Sequence, residues 1–391
     1  MKKILGFLLA ISMLVATTAA FADVKDFNIT TTEKDKVIYD TDMLYLGDDS
    51  YCLYALLQAD ALGYLELLGC TTVGGNCTVA EGTMSILRQL EIVERPDIPV
   101  YIGTDVPMMG LRSAEYFADN GLSYPGTIDT LNTFGANLDY QKLPDEIFNR
   151  VNWGGGSYAD WGYSELKAQD LSAAEFMVEQ VRKHPGEVTI LAVGACTNVA
   201  LACMLDRTFA ENTKGIIYMG GAIDVLGNVT GYAELNWYHD AESVQICLNS
   251  KFPSQTVVPH DISYNVTINK EAVDMIRAKN NTPITKLLCE RAGYERYDES
   301  PDMSWSVWDL CTIAPLMVPE LITRQDTRKI LIDTSRGPTY GLSATWKTAD
   351  NANDWGAFEG PYYAPVVDIV YDLDATAFWT FISDLYGTSL K

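Results

Sequence analysis

Short runs of β-branched and apolar residues alternate along the chain with longer stretches whose apolar positions recur every three or four residues. That is the pattern of strands joined by crossover helices. Lys36–Asp40 (KVIYD) reads as a first strand, and Asp48–Asp60 as the helix after it, with Cys52, Ala55, Leu56 and Ala59 at helical spacing. Leu65–Val73, Val79–Val93 and Ile98–Ile102 continue as strand, helix and strand. The alternation resumes with a helix at Leu171–His184, a strand at Val188–Val193 and a helix at Asn198–Leu205. Gly215–Met219, Ala241–Asn249 and Gln255–Pro259 follow as strand, helix and strand. An apolar helix is expected over Trp305–Val318, then a closing strand at Ile369–Leu373 and a helix at Thr376–Leu385. The fold class is α/β, with an open, mostly parallel sheet flanked by helices in a Rossmann-like arrangement. No linker or repeat divides it, so residues 23–391 read as a single domain. Such a sheet binds ligands at the carboxyl edge of its strands.

One segment, near residues 120–170, breaks the alternation. It is rich in Gly, Asn and aromatics, including Tyr124, Phe134, Tyr140, Trp153, Tyr158, Trp161 and Tyr163. A long irregular insertion is either a lid or a packed surface excursion, and its aromatics suit stacking on a flat base or sugar.

Lys2 and Lys3 precede an apolar run from Ile4 to Ala16, and Ala20-Phe21-Ala22 gives a small-residue exit. Residues 1–22 therefore read as a secretory signal peptide, too short and too quickly followed by polar sequence for a membrane anchor. The mature chain is expected to start near Asp23 and to be periplasmic or secreted, with no membrane attachment.

The formal net charge of the whole chain is −24, and loss of the two lysines takes it to about −26. A surface so acidic cannot replace the counterions around phosphates, which argues against nucleic acid as a partner. The eight cysteines form no C-x-x-C and no zinc-finger spacing, so a structural zinc site is not expected. An exported protein is permitted disulfides, and Cys70 and Cys77 are one plausible pair, but spacing does not fix connectivity.

The chemistry concentrates after the first strand. Asp40, Asp42, Asp48 and Asp49 place four carboxylates within ten residues at a strand–helix junction. They repel one another unless a cation sits among them. Oxygen ligands without thiolate or imidazole suit calcium or magnesium. Dipole complementation and capping also explain acidic residues at a helix start, which covers Asp48 and Asp49 but not Asp42. An aspartyl phosphotransferase is disfavoured, because the fifth position of D-x-D-x-[TV] is Leu44 and no P-loop is present.

The D-T-D…D-D cluster resembles the signature of the nucleoside hydrolase family, inosine/uridine-preferring type. Three further segments match it in order: Thr71-Thr72-Val73-Gly74-Gly75-Asn76, then Ala192-Val193-Gly194-Ala195-Cys196-Thr197-Asn198, then Met219-Gly220-Gly221 with Gly227-Asn228-Val229-Thr230 and Ala233-Glu234-Leu235-Asn236. Trp308-Asp309 falls where the family has its last metal-binding aspartate. The resemblance implies a Ca2+ site made by Asp42, Asp49, the backbone carbonyl of Thr197, and Asp309. It implies Asp42 as general base, with Asp48, Asn76, Asn228, Glu234 and Asn236 holding the sugar. The implied reaction is calcium-dependent hydrolysis of the N-glycosidic bond of ribonucleosides, releasing ribose and free base, as in nucleoside scavenging. The partner is then a small nucleoside or ribosyl compound, and relatives of this kind commonly form homo-oligomers.

Bland readings stand beside these roles. Asn76 and Asn228 follow glycines and fit ordinary turns; Thr197 fits a helix cap; Glu234 and Asn236 fit a polar surface. Asp309 is harder to dismiss, since apolar side chains surround it and a buried carboxylate needs a partner.

Two departures from the family pattern concern substrate choice. Met43-Leu44-Tyr45-Leu46-Gly47 separates Asp42 from Asp48 by two residues more than the commonest form, in a D-T-D-M variant of the loop. Trp308 stands where some members carry a histidine that protonates the leaving base, and the chain has only His184, His239 and His260. His239 reads as an exposed or capping residue. Base expulsion would then rely on aromatic stacking, for which Tyr45, Trp308 and Trp161 are the candidates, or on a lid residue such as Tyr158 or Trp161. The alternatives are a non-catalytic nucleoside- or sugar-binding protein, or a hydrolase of a different N-ribosyl compound.

Overall fold

The computed structural model describes residues 23–110, 127–134, 137–150, 157–347, 361 and 363–389. Residues 1–22, where a signal peptide is expected, lie outside them, as do Tyr124 and Trp153 of the insertion. Among the described residues, nine strands form one sheet. They are β1 (Lys36–Thr41), β2 (Glu66–Thr72), β3 (Val100–Ile102), β4 (Val188–Ala192), β5 (Gly215–Met219), β6 (Gln255–Val258), β9 (Ile322–Ile332), β10 (Ser343–Lys347) and β11 (Val366–Leu373). A separate small hairpin pairs β7 (Thr267–Asn269) with β8 (Ser304–Ser306).

Across the large sheet the order is β3-β2-β1-β4-β5-β6-β11-β9-β10. The seven strands from β3 to β11 pair in parallel, while β9 and β10 run antiparallel along one edge. The run 3-2-1-4-5-6 is a doubly wound order whose chain direction reverses at β1, so the crevice for a ligand opens between the carboxyl ends of β1 and β4.

β1, β4 and β5 are buried at every residue, as parallel strands covered on both faces must be. Period-two alternation sends Val37 and Tyr39 into one hydrophobic core and Ile38 into a second on the opposite face. The flanking helices start where side chains satisfy their free N–H groups: Thr78 with Glu81 boxes Val79–Ile92, and Ser172 with Glu175 boxes Ala173–Lys183.

Three expectations are corrected. Trp305–Val318 is not one helix but strand β8, a 3-10 turn at Asp309–Thr312 and a short helix at Ile313–Met317. Ser304–Ser306 is drawn into pairing with β7, and Pro315, within the short helix, has no N–H for the carbonyl one turn earlier, where the 3-10 turn stands. The edge strands β9 and β10 were not foreseen. Every cysteine is a free thiol, and Cys70 and Cys77 are not bridged. The Cys77 Sγ lies 3.2 Å from the Met43 carbonyl, whereas Cys70 lies near Arg95 in a different neighbourhood.

Where described, the insertion contains short helices at Thr127–Phe134, Asp145–Phe148 and Tyr158–Trp161. Tyr158 and Trp161 are buried and meet Tyr45 edge-on, with ring centroids 6.0 and 4.8 Å apart. Tyr45 takes a left-handed backbone conformation at φ 38° to reach them, at a cost of about 1 kcal/mol for a residue with a Cβ. Its buried ring offsets that cost.

Candidate active site

Alternation along β1 decides which groups meet. Tyr39 and Thr41 point toward the helix Asp48–Ala61: the Tyr39 hydroxyl donates to the Asp49 carbonyl over 2.8 Å, and the Thr41 hydroxyl donates to the Asp49 carboxylate. Asp40 leaves by the other face, toward Thr71 and Asn198.

Asp40 is not part of the acidic cluster. Its Oδ1 accepts from Thr71 Oγ1 at 2.6 Å and from Asn198 Nδ2 at 2.8 Å, and burial pushes its carboxyl up to about 7. Asn198 also donates to the Thr72 carbonyl at 2.9 Å and accepts the Thr104 N–H at 3.2 Å. One side-chain amide therefore ties together the ends of β1, β2 and β3. Sequence reasoning named Asn198 as a helix start and as the end of a matched motif, without a role; its place just past β4, at the switch point, was the signal available.

Asp42 is buried just beyond β1, and its Oδ2 accepts the Asn76 main-chain N–H at 2.7 Å. Its other oxygen is buried without a hydrogen-bond partner among the described residues. Two glycines make room for Asp42, Gly75 for its carboxylate and Gly194 for its main chain and Cβ. A Cβ on Gly75 would lie 2.0 Å from Asp42 Oδ2, and one on Gly194 would lie 2.9 Å from the Asp42 nitrogen. The glycines of T-T-V-G-G-N and of A-V-G-A-C-T-N thus form the two sides of one slot.

Ligand atoms of Asp48, Asp49 and Asp309 all lie within 4.8 Å of one another. The Asp309 N–H turns toward Asp48 Oδ2 at 3.4 Å, and the Trp308 N–H also favours the charged Asp48. Burial raises Asp48 to about 6 against the main-chain N–H groups that favour its charge, while burial and then repulsion from neighbouring carboxylates raise Asp42 to about 7 and Asp49 and Asp309 well above the carboxylate range. The tight trio contains Asp48, which the resemblance gave to the sugar. Asp42 stands outside the trio but close enough to act on Asp49 and Asp309 through its charge. The donor set is oxygen only, crowded and anionic, and it holds a buried carboxylate oxygen with no proton donor. Those features fit a hard cation such as calcium.

Glu234 and Asn236 are buried rather than surface polar. Glu234 caps the helix Leu235–His239, accepting from the Asn236 N–H at 2.8 Å and the Trp237 N–H at 3.2 Å, and it also takes the Gly221 N–H at 2.9 Å. Burial raises its carboxyl to about 7, and its charge is felt at Asp42. The Asn236 amide donates to the carbonyls of Val193 (2.8 Å) and Met219 (3.2 Å), bridging the ends of β4 and β5. Thr197 is buried at the start of its helix, but its hydroxyl donates to Asp240 at 2.7 Å instead of capping.

Other candidates are placed differently. Asn76 reaches Asp42 through its main chain. Asn228 is exposed, and its side-chain oxygen accepts the Leu235 N–H at 2.9 Å, which is turn chemistry. Tyr45 and Trp161 are spent on each other within the core, so neither offers a ring face as arranged. Trp308 is half-buried at the site, and His239 is buried rather than exposed.

Comparison with known proteins agrees with this geometry. Residues 37–380 match the family model described as inosine-uridine preferring nucleoside hydrolase. The chain belongs to that family.

Within it, the chain is 31% identical over 293 residues to a pyrimidine-specific ribonucleoside hydrolase of Shewanella oneidensis, covering 74% of this chain and 81% of the relative. It is 35% identical over 216 residues to uridine nucleosidase 1 of Arabidopsis thaliana, a match spanning 55% of this chain and 54% of that protein. Among solved structures, a plant nucleoside hydrolase superposes with a TM-score of 0.69 at 24% identity, covering 91% of this chain and all of the other. At that identity the superposition speaks for the nucleoside hydrolase fold alone.

Proposed function

We propose that this chain is a calcium-dependent ribonucleoside hydrolase of the exported D-T-D-M type, acting on pyrimidine or purine ribonucleosides outside the cytoplasm. The observation that carries this reading is the buried Asp42 oxygen without a partner, set beside the acidic trio at the sheet's switch point. Asp42, Asp49, Asp309 and the Thr197 carbonyl would hold the ion, and the trio geometry adds Asp48. Calcium, when bound, supplies a fixed positive charge that orients water and makes it more acidic.

Asp42 takes a proton from the attacking water. Oxygen bonds to the anomeric carbon as the carbon–nitrogen bond breaks, and the departing base keeps that electron pair and gains a proton. Glu234 and the other carboxylates stabilise the positive charge that builds on the sugar. Asn236 and Asn76, on the rim of the same crevice, hold ribose hydroxyls. The relatives named for uridine and pyrimidines support placing pyrimidine ribonucleosides first in the substrate order.

A site built to bind hydroxyls rejects an analogue lacking one by about 10⁴-fold. Uridine should therefore exceed 2′-deoxyuridine by that order in kcat/KM, read as reducing sugar released; equal rates would overturn the sugar assignment.

Gly75→Ala supplies a second check. The new Cβ must displace the Asp42 carboxylate, and a shift of that size is expected to lower kcat/KM about a hundredfold. Native activity in this variant would show that Asp42 need not sit in the slot.

A further inference from the structure

We infer that His260 is a positioning residue for the leaving base: it fixes the indole of Trp308 as the wall against which the base departs. The inference rests on the hydrolase reading above.

His260 opens the 3-10 turn His260–Tyr264 immediately after β6, at the carboxyl edge that carries the site. Its ring is held on the Trp308 side. Trp308 Nε1 donates to His260 Nδ1 at 2.9 Å, and the two rings lie 5.9 Å apart at 28°. An indole N–H only donates, so Nδ1 must be the unprotonated acceptor and the ring proton must sit on Nε2. The Ser263 hydroxyl, 3.3 Å from Nδ1, gives its proton to the His260 carbonyl at 2.8 Å, so it does not compete for the acceptor. Burial holds the imidazole below its ordinary pKa, which keeps that acceptor free at neutral pH.

The main chain of His260 is also tied to the sugar side of the site. Its N–H donates to the Gly221 carbonyl at 2.8 Å, and the Gly221 N–H in turn is held by Glu234. The next residue, Asp261, accepts the Ile223 and Asp224 N–H groups at 2.9 and 2.8 Å. His260 therefore joins the loop that grips Glu234 to the residue that precedes Asp309. An indole so anchored has one ring plane available, and stacking on it raises the basicity of a leaving base only when that plane is fixed.

The test compares the native full chain, His260→Phe and His260→Asn, each loaded with calcium. Phe keeps a ring of similar bulk and loses the acceptor; Asn restores an acceptor oxygen near the Nδ1 position. Loss of one buried hydrogen bond is about a tenfold effect. His260→Phe is expected to raise KM for uridine and inosine about tenfold while leaving the inhibition constant for free ribose unchanged, and His260→Asn to recover to within about threefold of native. The inference is overturned if His260→Phe behaves as native, if His260→Asn is no better than Phe, or if ribose inhibition weakens in step with KM. If the native chain releases no ribose, the hydrolase reading fails separately. Calorimetric affinity for uridine across the same three proteins then decides the positioning role, with the same tenfold loss and recovery expected.

Discussion

Asp42→Asn is expected to lower kcat by roughly 10³- to 10⁴-fold, the range associated with loss of a general base, while nucleoside affinity stays within about threefold. The amide has the shape of the carboxylate and fits the slot between Gly75 and Gly194. Its oxygen still accepts the Asn76 N–H that now bonds Asp42 Oδ2. What it cannot do is receive a proton from water. Ribose release and calorimetric binding measured on one preparation separate the two quantities. Turnover at the native rate would remove Asp42 from the chemistry, and loss of affinity equal to loss of turnover would make it a metal ligand only.

The second large effect is on stability and has a sign that depends on the cation. In chelator, Asp309 sits against Asp48, Asp49 and Asp42, and burial and repulsion raise it well above its ordinary pKa. A raised carboxyl stabilises the fold fully below its unfolded pKa and loses that contribution as pH rises through the folded pKa. The contribution of Asp42 in chelator therefore declines from about pH 4 through about pH 7, the level to which it is pushed, and that of Asp309 goes on declining above the ordinary carboxylate range. Asp309→Asn removes one of the repelling charges. The chelated variant should melt about 1–2 °C above the chelated native protein at pH 7.5, an effect of about 1 kcal/mol, and the two should converge near pH 4. Added calcium should reverse the order, stabilising the native chain by about 3 kcal/mol at a hundredfold excess over Kd and the variant hardly at all. Melting curves at two pH values, with and without calcium, check all four combinations. A variant less stable than native in chelator would mean the trio is not electrostatically strained.

Much of this was legible in the sequence because the signals were local. KVIYD followed by D-x-D fixed the end of β1, and the position of Asp48–Asp49 at the next helix start followed from period alone. The glycines at 75 and 194 were matched as motif, but their reason, the close approach of Asp42 to both, is a set of contacts between loops distant along the chain. Distance along the chain likewise hid the Asn198 clamp on Asp40 and the Trp308–His260 bond. Trp305–Val318 misled because its apolar density satisfies a helix, while pairing with β7 and Pro315 set the backbone. β9 and β10 escaped because Ile322–Ile332 is largely polar, as an antiparallel edge can be. Tyr45 and Trp161 looked like ligand-stacking aromatics only because composition does not say which aromatic finds another first.

The measurement that bears most directly on the central claim is ribose release from uridine and inosine by the purified chain, in calcium and in chelator. The account predicts ribose and free base in calcium, and release restored when calcium is returned to chelated protein. Equal release in chelator would remove the cation from the reaction, and no release in calcium from either nucleoside would contradict the hydrolase assignment itself.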